Sequence, residues 1–212
     1  MQSLQILKDE HEVIIRVLDL LERSVDLLQH NEPIPRGFRR WVVEFSREFA
    51  DRCHHGKEED LLFPLLEIRG IPREMGPIGC MLKEHITGRE CVNKMEDAIA
   101  ARPRDNVAFA TAALQFVALL REHIFKENNV LFEMASHCLS AEDDAQLVQQ
   151  YTALQCEHNG GSQKRRFRDE LDQWEAEFAR TEGFGTEGFG TEGHEGRKGQ
   201  EQPSSGSFLF TT

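Results

Sequence analysis

Two histidines followed by two glutamates are the most chemically informative stretch of this sequence. Within the run HHGKEEDLLFPLL, they form two overlapping His-x-x-x-Glu pairs, His54/Glu58 and His55/Glu59. Residues four apart lie on the same face of an α-helix, so each pair places an imidazole beside a carboxylate. A pair of this kind either binds a metal ion or forms a His–Glu hydrogen bond.

The apolar residues around these pairs predict which pair faces the core. At about 100° per residue, Glu59 falls within the apolar stripe of the helix and His55 falls on its edge. We therefore expect His55 and Glu59 to point inward, and His54 and Glu58 to meet solvent or a rim. The stripe consists of Phe38, Phe45, Phe49, Phe63 and Leu66.

The same spacing recurs later in the chain, where His123 and Glu127 continue another apolar stripe. Two further histidines, His11 and His85, occupy the core phase of their own apolar repeats. An unpaired carboxylate in an apolar core is costly, and a metal ion removes that cost. A buried His–Glu hydrogen bond explains one pair in isolation. Four helices that each place a histidine on the buried face favour a metal site.

These side chains meet if the helices form an antiparallel bundle. Short connections favour that arrangement, and at a rise of about 1.5 Å per residue the four histidines lie within a turn or two of one level. Four imidazoles and two carboxylates suit a pair of metal ions, because a lone structural zinc takes four ligands. The donor types admit iron, manganese or zinc, with a slight preference for iron. The predicted metal ligands are His11, His55, Glu59, His85, His123 and Glu127, with Glu58 and His158 as additional candidates.

Composition argues against several classes of partner. The 212-residue chain has a formal net charge of -12 and no basic cluster, which argues against nucleic acid and anionic membranes. Its five cysteines are odd in number and form no Cys-x-x-Cys, which favours reduced thiols in a cytoplasm. We expect no signal peptide and no run of about 20 apolar residues that crosses a bilayer.

The predicted fold is all-α, an up-down-up-down four-helix bundle with an additional C-terminal helical segment and a disordered tail. We expect residues 1–180 to form the bundle domain and the low-complexity residues 181–212 to be disordered. The proline- and glycine-rich loops predict helices at 3–29, 38–69, 78–101 and 105–137, followed by a fifth segment from 140.

Local signals mark the ends of these helices. Ser3 and Asp105 are suitable N-caps for the first and fourth helices. Ser140 and Asp143 resemble a capping box that opens the fifth segment. Pro64 should kink the second helix or end it early, because proline lacks the backbone N–H.

This ordered pattern resembles the hemerythrin-like family, also called the HHE cation-binding domain. The resemblance covers residues 4–180 and rests on the segments KDEH, HHGKEEDLLFPLL, MLKEHITGRECVNKM and LREHIFKENNVLFEM. It implies a four-helix bundle around two iron ions, a non-haem di-iron centre that is oxo- and carboxylate-bridged. The chain departs from oxygen-carrying members, which have a second histidine where Arg89 stands and a His-x-x-x-x-Asp where this chain has His123-x-x-x-Glu127.

The resemblance implies a protein that binds or senses oxygen, nitric oxide or peroxide, or takes part in iron handling. The expected partner is therefore a small diatomic molecule or peroxide. The alternative is a di-iron oxidase or peroxidase that uses the same site. A third class is an interaction protein whose metal stabilises the fold and whose tail recruits a partner. No separate catalytic residues are apparent, so enzymatic activity stays open at this point.

Overall fold

The computed structural model describes residues 1–157 and 160–183. This part of the chain consists of helices joined by short loops and contains no strands. The all-α prediction is therefore confirmed. Of the predicted disordered tail 181–212, residues 181–183 belong instead to the last helix, and residues 184–212 lie outside the described residues, as does His158. The six helices are α1 (Gln2–Gln29), α2 (38–68), α3 (Pro77–Ala100), α4 (Asn106–Cys138), α5 (Ala141–Glu157) and α6 (Gly160–Gly183).

Helices α1 to α4 form the bundle. Each packs against its two neighbours in the ring α1–α2–α3–α4, and short connections between them reverse the chain direction each time. Helix α5 packs across α1 and the middle of α2, and α6 lies against α1, α2 and α5. The predicted additional C-terminal segment is thus a pair of helices that covers one side of the bundle.

The hydrophobic core consists of two clusters separated by a layer of polar side chains. The larger cluster includes Leu18, Phe45 and Phe109, and the smaller one includes Leu7 and Phe63. Along α1, α2 and α3, the buried histidines fall between residues of one cluster and residues of the other, and along α4 Glu127 takes that place, one turn after His123. The apolar clusters therefore enclose the polar layer from both ends of the bundle.

Three stretches of π-helix lie next to or within this polar layer. They span Ser46–His55 and Glu58–Leu62 in α2 and Glu127–Leu131 in α4. A π-helix bonds i to i+5 instead of i to i+4, so each π turn takes extra residues and rotates the following side chains. Pro64 follows directly, at the start of the α-helical segment Phe63–Ile68, where its missing N–H costs least. The helix continues beyond it, so the predicted early end does not occur.

The helix caps agree with the sequence except at the first helix. Asp105 accepts a hydrogen bond from the backbone N–H of Ala108, as predicted. The capping box is also confirmed, because Ser140 and Asp143 each accept a hydrogen bond from the other's backbone N–H. Ser3 is not the N-cap of α1; its backbone N–H and hydroxyl instead donate to Asp144 of α5.

Helix α4 has the length and composition of a membrane-crossing helix, contrary to the expectation that no such segment exists. In the most apolar window of Asn106–Cys138, 44% of the residues are buried within the bundle. The apolar face of α4 supplies Phe109, Phe116 and Leu120 to the core. Packing inside the bundle accounts for part of its hydrophobicity, and Val107, Phe125 and Val130 of the same helix are exposed.

Candidate metal centre

Seven buried side chains from all four bundle helices converge in the polar layer, and together they are called the metal centre below. They fall into two groups that share Glu58, and within each group the potential ligand atoms lie within 4.8 Å of one another. Their exposed fractions are between 0% and 5%. One group is His11, His54, Glu58 and Glu127, and the other is His55, Glu58, His85 and His123.

The two glutamates each contact one histidine from each group. Glu58 lies 3.4 Å from His54 Nε2 and 3.5 Å from His85 Nε2. Glu127 lies 3.2 Å from His11 Nε2 and 3.3 Å from His123 Nε2. A carboxylate between two sets of imidazoles is the arrangement in which carboxylate oxygens bridge two cations.

Several buried polar atoms of the metal centre lack a hydrogen-bond partner within residues 1–157 and 160–183. These atoms are His11 Nε2, His54 Nε2 and both carboxylate oxygens of Glu58 and of Glu127. Each unsatisfied buried polar atom costs about 1–3 kcal/mol, so a set of six in one place needs a compensating partner. Imidazole nitrogens and carboxylate oxygens are ligand atoms for first-row transition metals. The residues present therefore fit a metal.

The opposite ring nitrogen of every histidine is held by an oxygen acceptor. His54 Nδ1 lies 3.0 Å from Glu10, His85 Nδ1 lies 2.7 Å from Glu59 and His123 Nδ1 lies 3.0 Å from Glu84. An ionised carboxylate only accepts, so Nδ1 of these three rings carries a proton and Nε2 faces the centre. The Nε2 atoms of His85 and His123 lie 3.1 Å apart and share one hydrogen bond, so one of these two rings holds a second proton that a metal ion would displace. Outer-sphere bonds of this kind fix the orientation of metal-binding histidines and raise their basicity.

The remaining two histidines follow the same rule with weaker acceptors. His11 Nδ1 donates to the neutral side-chain oxygen of Asn128 at 2.9 Å, and His55 Nδ1 lies 3.2 Å from Asp51. The ring of His55 stacks on that of His85 with centroids 3.7 Å apart. In oxygen-carrying members of the family that the sequence resembles, a second histidine of α3 stands at the position of Arg89. In this chain, the imidazole beside His85 comes instead from His55 of α2.

The outer carboxylates are neutralised by their own cations. Glu10, which is completely buried, accepts from Lys57 Nζ and Lys164 Nζ, each at 2.9 Å. Glu59 accepts from Arg89 at 2.6 Å, and Glu84 pairs with Lys126. The outer charges cancel locally, so the charge of the two inner glutamates is left for a cation at the centre.

The prediction that Glu59 points inward and Glu58 outward is wrong. Glu58 is fully buried between the two groups, whereas the Glu59 side chain is 26% exposed and contacts the outer nitrogen of His85. His54, expected at a rim, is also buried. The prediction assumed that every residue after Phe45 rotates by the α-helical angle about the helix axis. A π-helix begins at Ser46 and changes that angle before the two His-x-x-x-Glu pairs are reached.

The sequence did not reveal the residues that hold the histidines. Glu10 and Lys57 look like ordinary surface charges in the sequence, and Lys164 comes from α6, far along the chain. Asn128 and Asp51 also gave no signal. Glu10 and Glu84 each precede a histidine that the core pattern identified, but the sequence does not indicate that their partners are His54 of α2 and His123 of α4.

Burial keeps most of the imidazoles neutral. It lowers the pKa of His54 to about 4, against the favourable hydrogen bond to Glu10. Burial, with the neighbouring His85, also holds the pKa of His55 well below its usual range. Neutral imidazole is the form that binds metal. His123 is the exception, because Glu127 and Glu84 outweigh burial and raise its pKa.

The two inner glutamates titrate in opposite directions. Burial, followed by the charge of Glu127, raises the pKa of Glu58 well above its usual range. Burial also opposes ionisation of Glu127, but His123 and His11 outweigh it and lower the pKa of Glu127 to about 2. Without a metal, Glu58 therefore retains a proton to higher pH than Glu127 does, and binding of a cation favours loss of that proton.

Comparisons with known proteins agree with a metal-binding role. The family model described as "Hemerythrin HHE cation binding domain" matches residues 2–135. Proteins named "Iron-sulfur cluster repair protein YtfE" from Salmonella paratyphi B, Salmonella newport and Salmonella heidelberg are each 30% identical over 135 residues. Each alignment covers 60% of this chain and 60% of the relative, so the chain matches these curated relatives over little more than half their length. No solved structure matches.

Glutamine substitutions at adjacent positions distinguish the inner glutamate from the outer one. Glu58→Gln removes the carboxylate shared by both groups, and we expect the protein to lose most of its bound metal. Glu59→Gln weakens the hydrogen bond to His85 Nδ1 and the ion pair with Arg89, both outside the metal centre, so metal affinity should fall about 10- to 100-fold while saturating metal still fills the site. Mass spectrometry of metal content and competition with a chelator measure both effects. If the Glu58→Gln protein still bound as much metal as the wild type, Glu58 would not be the carboxylate shared by the two groups.

Acid should destabilise the metal-free protein through its buried histidines. Between the pKa of His54 in the folded chain, about 4, and the ordinary histidine pKa of 6.5, the unfolded chain binds a proton that the folded chain does not. The free energy of unfolding should therefore decrease as the pH falls through this range. Glu58 has a raised pKa and acts in the opposite direction, so the difference in slope between wild type and His54→Gln isolates His54. Urea denaturation at several pH values gives the slopes.

The exposed His137 provides the matched control for this pH series. His137→Gln should leave the slope of unfolding free energy against pH as in the wild type, because the side chain of His137 is exposed to solvent. His54→Gln should reduce the slope. Identical slopes for the wild type and both variants would mean that the imidazole of His54 is not held neutral by burial.

Proposed function

Because the chain belongs to the hemerythrin HHE cation-binding family, we propose that its metal centre binds two iron ions and that the protein handles iron for iron–sulfur cluster repair. The observation that carries the metal site is the convergence of unpaired, buried imidazole and carboxylate atoms in one layer of the bundle. The stoichiometry of two is supported by the two groups of potential ligands, which overlap only at Glu58.

Each iron has its own set of histidines in this proposal. The first is bound by His11 and His54, and the second by His55, His85 and His123. Glu58 and Glu127 are shared between them. This assignment replaces the sequence-based set by exchanging Glu59 for Glu58 and by adding His54.

The protein side chains prepare the site for these ions. The outer acceptors hold each imidazole in the tautomer whose Nε2 is available, and burial keeps His54 and His55 neutral. Glu58 exchanges its proton for a cation, and Glu127 is already ionised. When bound, iron supplies a redox-active Lewis acid with coordination positions open to a small ligand.

The role in repair is suggested by the relatives, which are named iron–sulfur cluster repair proteins. The second group reaches a surface cavity through His55, which suits the uptake and release of iron. Beside His55, the metal centre is bordered by Asp51, Glu59 and Arg89, and Arg89 forms ion pairs with both carboxylates. We also retain the expected cytoplasmic location, with which the four unbonded cysteines of the described residues are compatible.

A second candidate is the binding or sensing of a small molecule such as oxygen, nitric oxide or peroxide. A cavity of about 340 Å³ opens beside the second group and is lined by His55, Arg89, Gly88 and Phe116, among others. It provides a route by which a small molecule reaches that side of the centre. An oxidase or peroxidase would use the same route, and turnover with a supplied reductant distinguishes that enzyme from a binding protein.

Iron transfer to a damaged cluster tests the proposed function. Protein purified without added metal should contain about two irons per chain, as a carboxylate–histidine bundle site of this type holds. Mixed under dithiothreitol with a dehydratase whose [4Fe–4S] cluster has lost an iron, it should restore activity in proportion to the iron it carries. Recovery of dehydratase activity and iron content are measured together.

Two controls make this assay decisive. Glu58→Gln protein, which should carry little metal, must restore little activity. Free ferrous iron at the same concentration sets the background. Recovery no greater than this background, from protein that does hold two irons, would exclude repair and leave the small-molecule function as the better explanation.

A further inference from the structure

The single tyrosine of the chain lies beside the metal centre without any role in the account given so far. Tyr151 belongs to α5, outside the four-helix bundle, and its side chain is 1% exposed. Its hydroxyl has no hydrogen-bond partner within the part of the chain that the structure describes. The ring is packed in the smaller apolar cluster, together with Leu4, Leu7, Leu62, Phe132 and Leu147.

The unpaired hydroxyl belongs to the same set as the unpaired ligand atoms. Apart from Arg168 Nε, the unpartnered buried side-chain atoms of the described residues come from His11, His54, Glu58, Glu127 and Tyr151. The first four form one group of the metal centre. A buried tyrosine normally satisfies its hydroxyl, and phenylalanine fills such a space without the cost of an unpaired group. The retained hydroxyl therefore indicates a partner that is bound from outside.

The surroundings of Tyr151 keep its hydroxyl protonated, as a hydrogen-bond donor, and disfavour the phenolate anion. Burial raises the pKa of Tyr151 above its usual range, and the carboxylates of Glu58 and Glu10 raise it further. The phenol is consequently protonated and can donate one hydrogen bond. Helix α5 packs on α1 and on the Glu58–Leu62 segment, so Tyr151 serves the His11 side of the centre. The cavity beside His55 does not include it.

We propose that the Tyr151 hydroxyl donates a hydrogen bond to a small anionic or oxygen-atom ligand bound on the His11–His54 side of the metal centre. This inference rests on the proposed function, because the ligand needs a cation to hold it there. Tyr151 is then a specificity-determining residue: it favours ligands with a lone pair directed toward α5. Charge-assisted hydrogen bonds in a site without water are the strong ones, so the effect on ligand affinity is measurable.

Azide binding to the air-oxidised, iron-loaded full-length chain tests this proposal. Tyr151→Phe removes only the hydroxyl, so iron content should stay at the wild-type value while the dissociation constant for azide rises about 10-fold. The metal-free variant should unfold at the same or a higher urea concentration than the wild type, because an unpaired hydroxyl has been removed. Optical titration, metal analysis and denaturation give the three values. Leu147→Val, one turn away in the same cluster, controls for altered packing.

Three results would overturn the proposal. An azide dissociation constant within twofold of the wild-type value, at equal iron content, would show that the hydroxyl does not contact the ligand. Iron-loaded wild type that binds no azide would have no ligand position beside Tyr151. A visible charge-transfer band lost in Tyr151→Phe would identify a phenolate ligand instead of a neutral donor. Failure of the proposed function is separate, since it appears as absent iron in the wild type.

Discussion

Two carboxylates buried in an apolar core are the constraint on which the rest of this structure depends. Glu58 and Glu127 have no hydrogen-bond partners among the residues that the structure describes, and each faces Nε2 atoms from both groups of histidines. Their desolvation is costly unless a proton or a cation compensates it. Without metal, a proton on Glu58 compensates in part, as its raised pKa indicates. A cation of higher charge does so more completely, and this makes metal binding part of the stability of the fold.

The surrounding structure directs that compensation to the centre. Lysines and arginines neutralise the outer carboxylates, which in turn fix the histidine tautomers. Two apolar clusters enclose the polar layer from above and below, so the bundle excludes water from it. The two helices that cover the bundle also contribute side chains around the metal centre. Helix α6 supplies Lys164, which pairs with Glu10, and α5 supplies Tyr151, which lies on the side of the His11–His54 group.

Much of the fold and part of the site could be predicted from sequence because their signals are local. The 3.6-residue periodicity identified the helices, and the histidines in core phase identified His11, His85 and His123. The α-helical periodicity does not hold across a π-helix. It therefore predicted that Glu59 faces the core, whereas Glu58 is the buried residue. Long-range partners such as Glu10 with His54, or Glu84 with His123, depend on how helices pack and leave no periodic signal.

The most direct test of the central claim is anomalous diffraction at the iron edge from crystals of the protein as purified. The account predicts two anomalous peaks about 3.5–4 Å apart, the separation typical of two-metal sites. Both should lie among the five buried histidines, with the carboxylates of Glu58 and Glu127 between them. A single peak, or peaks outside this layer at Asp51 and Glu59, would contradict the claim that the two inner glutamates are shared by two metal ions.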